Sequence, residues 1–122
     1  KDDAVFQVAF TSKVYGSADP PVQKCFCLKE TTGYESFETE KDLLAAVSRY
    51  IREMDFDILT GWNVVGFDLE YMYVRMEMAK CDEESFCMGR RLGEPSELVQ
   101  KTLSSSALGQ NVQAGHAHPR AL

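Results

Sequence analysis

Apolar positions fall into two rhythms along this chain. From Ala4 to Tyr15, "AVFQVAFTSKVY" mixes β-branched and aromatic residues with partial alternation, the pattern of a half-buried strand. "VQKCFCLKE" alternates more strictly. Val22, Lys24, Phe26 and Leu28 fall on one side, and Gln23, Cys25, Cys27 and Lys29 on the other. Between the two runs, "YGSADPP" carries Gly16 and the pair Pro20-Pro21, so an antiparallel hairpin is predicted. The rhythm then changes. In "TEKDLLAAVSRYIREMD", Leu43, Leu44, Val47, Ile51 and Met54 recur at helical spacing as one apolar stripe, while Lys41, Arg49, Arg52 and Glu53 occupy the other face. Thr39, with Asp42 three residues on, has the spacing of a capping box.

The segment "TTGYESFET" reads as a loop, and "DILTGW" as a short buried strand with Ile58 and Leu59 facing opposite sides. A second helix is predicted from Leu69 to Lys80, with Leu69, Met72, Met76 and Ala79 on one side. Strand, turn, strand, helix, strand, helix is an α/β order. The first helix is long enough to be a crossover, so a mixed sheet with one hairpin and one parallel connection is expected. After Cys81 the periodicity fades, leaving room for a short strand or hairpin before Asn111. "VQAGHAHPRAL", residues 112–122, has little apolar pattern and reads as a divergent or disordered tail.

Composition narrows the class of protein. A chain of 122 residues, 44% hydrophobic and 26% charged, has the make-up of one globular domain. A net charge of -6 argues against a module that grips nucleic acid through its own basic face. It leaves open an enzyme whose metal site is built from carboxylates. No apolar run approaches the roughly 20 residues that span a bilayer. "KDDAVFQVAF" lacks the basic start and apolar core of a signal peptide, and its immediate strand-like character reads as a piece of a longer protein. Cys25, Cys27, Cys81 and Cys87 form no C-x-x-C pair, which makes free thiols in a reducing compartment the expected state. His116-x-His118 in an Ala/Gly/Pro-rich stretch is a poor metal motif.

The chemistry-bearing stretch is "GWNVVGFD", residues 61–68, between the "DILTGW" strand and the second helix. Loops at the C-terminal ends of strands are where open α/β sheets gather function. Gly61 and Gly66 permit a tight backbone or close approach of a ligand, and Asn63 offers both a donor and an acceptor. Asp68 stands at a helix start, where its simplest role is an N-cap, with Trp62 and Phe67 as core aromatics.

"DFDILTGWNVVGFDLEYMYVR" resembles the second exonuclease motif of the family B DNA polymerases, at Asp57, Ile58, Leu59, Gly61, Trp62, Asn63, Phe67, Asp68, Leu69 and Tyr71. Trp62 stands where the family usually has Tyr. The flanks are similar too: "DDAVFQVAF", "EKDLLAAVSRYIREMDFD", "FCMGR" and "LSSSALGQN", the last as in the δ-like enzymes of eukaryotes and large DNA viruses. The resemblance covers about residues 2–111 and places a partial 3′-5′ exonuclease domain at 1–111. It implies an RNase-H-like mixed sheet whose strand ends carry carboxylates for two Mg²⁺ or Mn²⁺ ions. By match, Asp68 becomes a catalytic metal carboxylate, and Asn63 and Phe67 become contacts to a frayed 3′ end. The implied partners are primer-template DNA and its single-stranded 3′ end. For the parent polymerase they also include dNTP, a sliding clamp and accessory subunits. The implied location is the nucleus of a cell, or the host nucleus or cytoplasm for a virus, with no membrane.

The same resemblance places an Asp-x-Glu motif ahead of Lys1 and a Tyr-x-x-x-Asp motif beyond Leu122. Asp68-Leu69-Glu70 has the letters of the former but sits on a helix start, where Glu70 is expected to face solvent. Tyr50 and Asp55 lie on the wrong side, with the wrong spacing, for the latter. One carboxylate does not hold two metals, so the segment alone is expected to be inactive and, lacking the central strand, to fold poorly. Two alternatives remain: a truncated or decayed non-catalytic scaffold or interaction domain, and an unrelated α/β domain in which Asp68 only caps its helix.

Overall fold

The computed structural model describes residues 1–91, 93–105 and 110–117, with side chains through residue 98 apart from Val65. The expected hairpin forms. Strand β1 (Gln7–Ser12) pairs antiparallel with β2 (Val22–Leu28), setting Val8 opposite Phe26 and Phe10 opposite Lys24. Gly16 turns the chain at φ 77°, a left-handed conformation that a residue without Cβ adopts at little cost. Phe10 and Phe26 meet edge-on at 6.2 Å on the face that looks toward the helices. The opposite face carries Cys25 and Cys27, their sulfurs 3.7 Å apart, and all four cysteines are free.

Helix α1 (Glu40–Met54) starts as its cap predicts. Thr39 Oγ1 accepts the Asp42 N–H at 3.2 Å and donates to the Asp42 carboxylate at 2.9 Å. Its stripe of Leu43, Leu44, Val47 and Ile51 is buried together with Phe26, Leu69, Met72, Met76 and Met88. Met54 departs from the stripe and is exposed, because Asp55 turns left-handed at φ 49° and ends the helix there.

Two loop and strand expectations are corrected. Residues 35–37 are not loop: β3 (Glu35–Phe37) runs parallel to β2, with Phe26 opposite Glu35. Three residues are too few for alternation to show in the sequence, and the pairing comes from β2, which offers its open edge. Conversely, 57–62 is not a strand. A strand needs a neighbour to take up its N–H and C=O groups, and this segment has no ladder among the described residues. Ile58 is 80% exposed, while Leu59 packs against the core. Side chains hold the segment instead. Arg90 Nε donates to Asp55 Oδ1 at 2.7 Å, and the same guanidinium pairs with Asp57. The sheet is therefore mixed, in the order β1-β2-β3.

Helix α2 (Leu69–Met78) follows a π-helical turn, Val64–Asp68. It stops two residues short of the expected end, because Lys80 is left-handed at φ 54° and the Cys81 N–H returns to the Met76 carbonyl at 3.0 Å. Leu69, Met72 and Met76 are buried as expected, but so is Arg75. Arg75 forms a bidentate pair with Glu40, Nε to Oε1 at 2.8 Å and Nη2 to Oε2 at 2.7 Å. Glu40 Oε1 also accepts the Val5 N–H at 2.9 Å. Beyond a short 3₁₀ turn at Glu83–Phe86, β4 (Leu98–Ser105) pairs antiparallel with β5 (Gln110–Ala117). Residues 112–117, expected as tail, thus lie in a strand. Backbone pairing with β4 requires no apolar alternation, so the pattern did not reveal it. Residues 118–122 lie outside the described residues. The architecture is α/β, as expected for part of an exonuclease domain.

The Arg75 guanidinium holds the Glu40 carboxyl below its ordinary value of 4.5, against the opposing effect of burial. A group with a lowered folded value adds stability that is complete above the ordinary glutamate range. That stability is lost as pH falls through the folded value. Glu40→Gln is therefore expected to flatten the acid arm of the stability curve below about pH 5. It should also destabilise near neutrality, since Arg75 stays charged without its charged partner. Urea unfolding from about pH 3 to pH 7 measures both, and an unchanged acid arm would refute the assignment. Thr39→Ala should cost about 1 kcal/mol in the same assay.

Candidate functional site

The candidate site is built on the turn that joins the 57–62 segment to α2. Asn63 begins it in the left-handed conformation, φ 56° and ψ 26°, a region Asn tolerates better than most residues. The backbone then takes a π-helical turn. The Phe67 N–H bonds the Asn63 carbonyl at 2.9 Å, and the Leu69 N–H reaches back to the Val64 carbonyl. Each residue added to a helical turn swings the side chains after it by about 100°. Asn63, Phe67 and Asp68 thereby lie on one wide turn, all exposed.

Gly66 decides where the Asn63 side chain sits. A Cβ on residue 66 would lie 2.6 Å from Asn63 Oδ1. The amide therefore occupies space that only glycine leaves free. Gly61 is also confined, since a Cβ there would meet Val64 Cβ at 3.3 Å. Of the two uses the sequence allows, tight backbone or close approach of a ligand, the structure shows tight packing within the turn itself.

The bland expectations for this turn are overturned. Trp62 is 98% exposed and Phe67 53%, so neither is a core aromatic. The turn meets the core through Val64 instead. Asp68 is not an N-cap. It is right-handed helical, φ -63° and ψ -48°, because the π turn runs without a break into α2. An N-cap needs extended backbone to aim its carboxylate at the first free N–H groups, and Asp68 makes no capping bond. Glu70, expected in solvent, pairs with Lys1 and is half-buried.

Two residues around the turn have roles that sequence reasoning missed. The Phe67 ring lies 5.5 Å from that of Tyr71, whose hydroxyl donates to the Asp3 carbonyl at 2.7 Å. Arg75, one turn further on, donates through Nη1 to the carbonyls of Lys1 and Asp2, both at 3.2 Å. Tyr71 was visible as a matched motif position and Arg75 as a lone cation beside an apolar stripe. Neither signal points to backbone carbonyls about 70 residues away.

As a donor set, the site is incomplete. Asp68 offers a hard oxygen ligand of the kind a small divalent cation takes. Among the described residues, however, no three His, Cys, Asp or Glu side chains gather as a metal group. His116 lies in β5 with its side chain outside the description, and His118 lies outside the described residues. The buried Cys27 thiol and the half-buried Cys81 thiol are both pushed up by burial, which disfavours the thiolate needed for soft-metal ligation.

Comparison with known proteins gives the same direction. The family profile "DNA polymerase family B, exonuclease domain" matches residues 1–111. A DNA polymerase of Pyramimonas orientalis virus is 32% identical over 117 residues, 92% of this chain and 10% of that protein. The DNA polymerase delta catalytic subunit of Oryza sativa subsp. japonica is 35% identical over 112 residues, 88% of this chain and 10% of its own length. That of Caenorhabditis elegans is 32% identical over 115 residues, 90% of this chain and 10% of its own length. The chain belongs to the exonuclease domain of the family B DNA polymerases, and it spans about a tenth of the curated relatives it matches.

The packing at Gly66 yields a prediction with an unusual sign. Gly66→Ala should leave stability unchanged or raise it by up to about 1 kcal/mol, because alanine is the better helix former. The Asn63 side chain should leave its present position. A crystal structure of the variant, read with its melting curve, tests this. An Asn63 amide found in place beside the added methyl group would show that glycine is not needed there.

Proposed function

We propose that this chain is part of the 3′-5′ exonuclease site of a DNA polymerase and that its role is to remove mispaired 3′ nucleotides. The observation that carries the reading is the exposed turn. It presents Asn63, Phe67 and Asp68 together, with Asp68 released from any capping role. Membership of the exonuclease family supports the same assignment.

Each side chain has a task its chemistry suits. The Asn63 amide can both donate to and accept from the sugar-phosphate end of a single strand. The open Phe67 ring, backed by Tyr71, gives an apolar surface for a frayed terminal nucleotide. Asp68 supplies one oxygen ligand to a pair of divalent cations, Mg²⁺ or Mn²⁺. When bound, such a pair activates a water and stabilises the leaving 3′ oxygen. Among the described residues no group of three metal-ligating side chains accompanies Asp68, and the 122-residue chain alone is proposed to be inactive. In the parent, the partners are primer-template DNA and its single-stranded 3′ end, with dNTP, a sliding clamp and accessory subunits serving polymerisation. The setting is the nucleus, or the host cell for a viral enzyme. Among the described residues no helix is long and apolar enough to cross a membrane.

Asp68→Ala in the full-length parent should reduce 3′-nucleotide release on the order of a thousandfold or more, while primer extension persists. Release from a labelled single-stranded primer, measured beside extension, is the assay. Undiminished release would reject Asp68 as a site carboxylate. Loss of both activities together would point to a scaffold role instead.

A further inference from the structure

Helix α2 holds the first residues of the chain by their backbone. The Tyr71 hydroxyl donates to the Asp3 carbonyl at 2.7 Å, and Arg75 Nη1 donates to the carbonyls of Lys1 and Asp2 at 3.2 Å. Arg75 is itself immobilised by two bonds to Glu40, and Glu40 takes the Val5 N–H at 2.9 Å. Backbone groups from residues 1, 2, 3 and 5 are thus held by three side chains. Such contacts ignore the side chains of residues 1–5 and fix the path of their backbone.

Asp68 stands one turn ahead of Tyr71 and continuous with the same helix. At 1.5 Å of rise per residue, Tyr71 and Arg75 lie only about 5 Å and 10 Å along the axis from Asp68. A helix over that length moves as a rigid unit, so a shift at the tether appears at Asp68 at nearly full size. Oxygen ligands of a magnesium-sized cation sit near 2.1 Å with a tolerance of about 0.2 Å. Displacement by a fraction of an ångström is therefore enough to weaken binding.

We propose that Tyr71 and Arg75 are positioning residues, which hold α2 against the backbone of residues 1–3 and thereby fix where Asp68 stands relative to that backbone. The proposal rests on the reading of Asp68 as a cation-binding carboxylate. Tyr71 and Arg75 touch neither cation nor DNA and act through the placement of the helix.

The test uses the full-length protein with Tyr71→Phe, Arg75→Lys and, separately, Asp68→Ala. Tyr71→Phe removes one hydroxyl. Arg75→Lys keeps the charge toward Glu40 and loses the fork that reaches the carbonyls. Deuterium uptake at the Val5 amide, whose N–H is held by Glu40, should rise in both variants of the metal-free protein. The half-saturating Mg²⁺ for 3′-nucleotide release should rise about tenfold, the size of effect seen when groups behind a metal ligand are removed. The rate at saturating Mg²⁺ should fall less than about threefold. A merely structural role lowers the rate by reducing the folded fraction and leaves the Mg²⁺ midpoint in place. That result, or unchanged uptake at Val5, overturns the proposal. Should Arg75→Lys fail to fold, Tyr71→Phe alone decides. Release by Asp68→Ala at the parental rate would instead refute the reading of Asp68 on which the proposal rests. Loss of release in Asp68→Ala with a parental Mg²⁺ midpoint in Tyr71→Phe refutes the positioning role alone.

Discussion

The ion pair between Glu40 and Arg75 joins three stretches of chain that are remote in sequence: the start of α1, the middle of α2 and residues 1–5. Both side chains are largely withdrawn from water, a burial that alone is unfavourable for two charges. What offsets it is the completeness of the bonding. The guanidinium fork matches the carboxylate with two parallel bonds, and its remaining reach goes to backbone carbonyls. A lysine in that place would carry the charge without the geometry. The pair is best understood as a device for alignment. Apolar packing of Leu43, Val47, Met72 and Met76 holds the helices together but tolerates sliding, whereas a bidentate pair does not.

That alignment matters because the turn preceding α2 meets the core through Val64 and has β5 beside it, while its aromatic side chains pack on neither. Asn63 is left-handed, the turn is widened by its π geometry, and Trp62 and Phe67 stand in solvent. Left-handed conformations in residues other than glycine persist where the surroundings impose them. Here the surroundings of the turn are α2 and β5, while the segment before it is held by Arg90, bound to Asp55 and Asp57. Asp57, a matched position in the family motif, thus has a structural partner supplied by the segment "FCMGR".

Much of this was legible in the residues. Helix α1 announced itself through its period and its Thr39-Asp42 cap, and β1 and β2 through alternation across a Gly/Pro turn. These are local signals and they survived. What failed was decided by partners far away in the chain. The run 57–62 has strand composition, but no neighbour among the described residues pairs with it. β3 is too short to show a pattern, and β5 needs only the backbone of β4. Arg75 lies beside the apolar stripe of α2, and its partner Glu40 lies 35 residues earlier and reads as an ordinary acidic residue in a first helical turn. At the site, the motif placed Asn63, Phe67 and Asp68 on one loop. It could not show that Asp68 is freed from capping, because that depends on the turn being π-helical rather than a fresh helix start.

The freedom of Asp68 also limits it. A single exposed carboxylate competes poorly with water for a magnesium-sized cation, which gives up its hydration shell reluctantly and demands several oxygen ligands in near-octahedral array. Moving one more carboxylate close by would help only if its repulsion with Asp68 were offset by the bound cation. Such an arrangement depends less on how strongly each ligand binds than on how accurately separate chain segments are held together. In this chain the loop that carries Asp68 is followed by a helix whose Tyr71 and Arg75 take hold of backbone carbonyls, with distances fixed by hydrogen bonding rather than by side-chain identity.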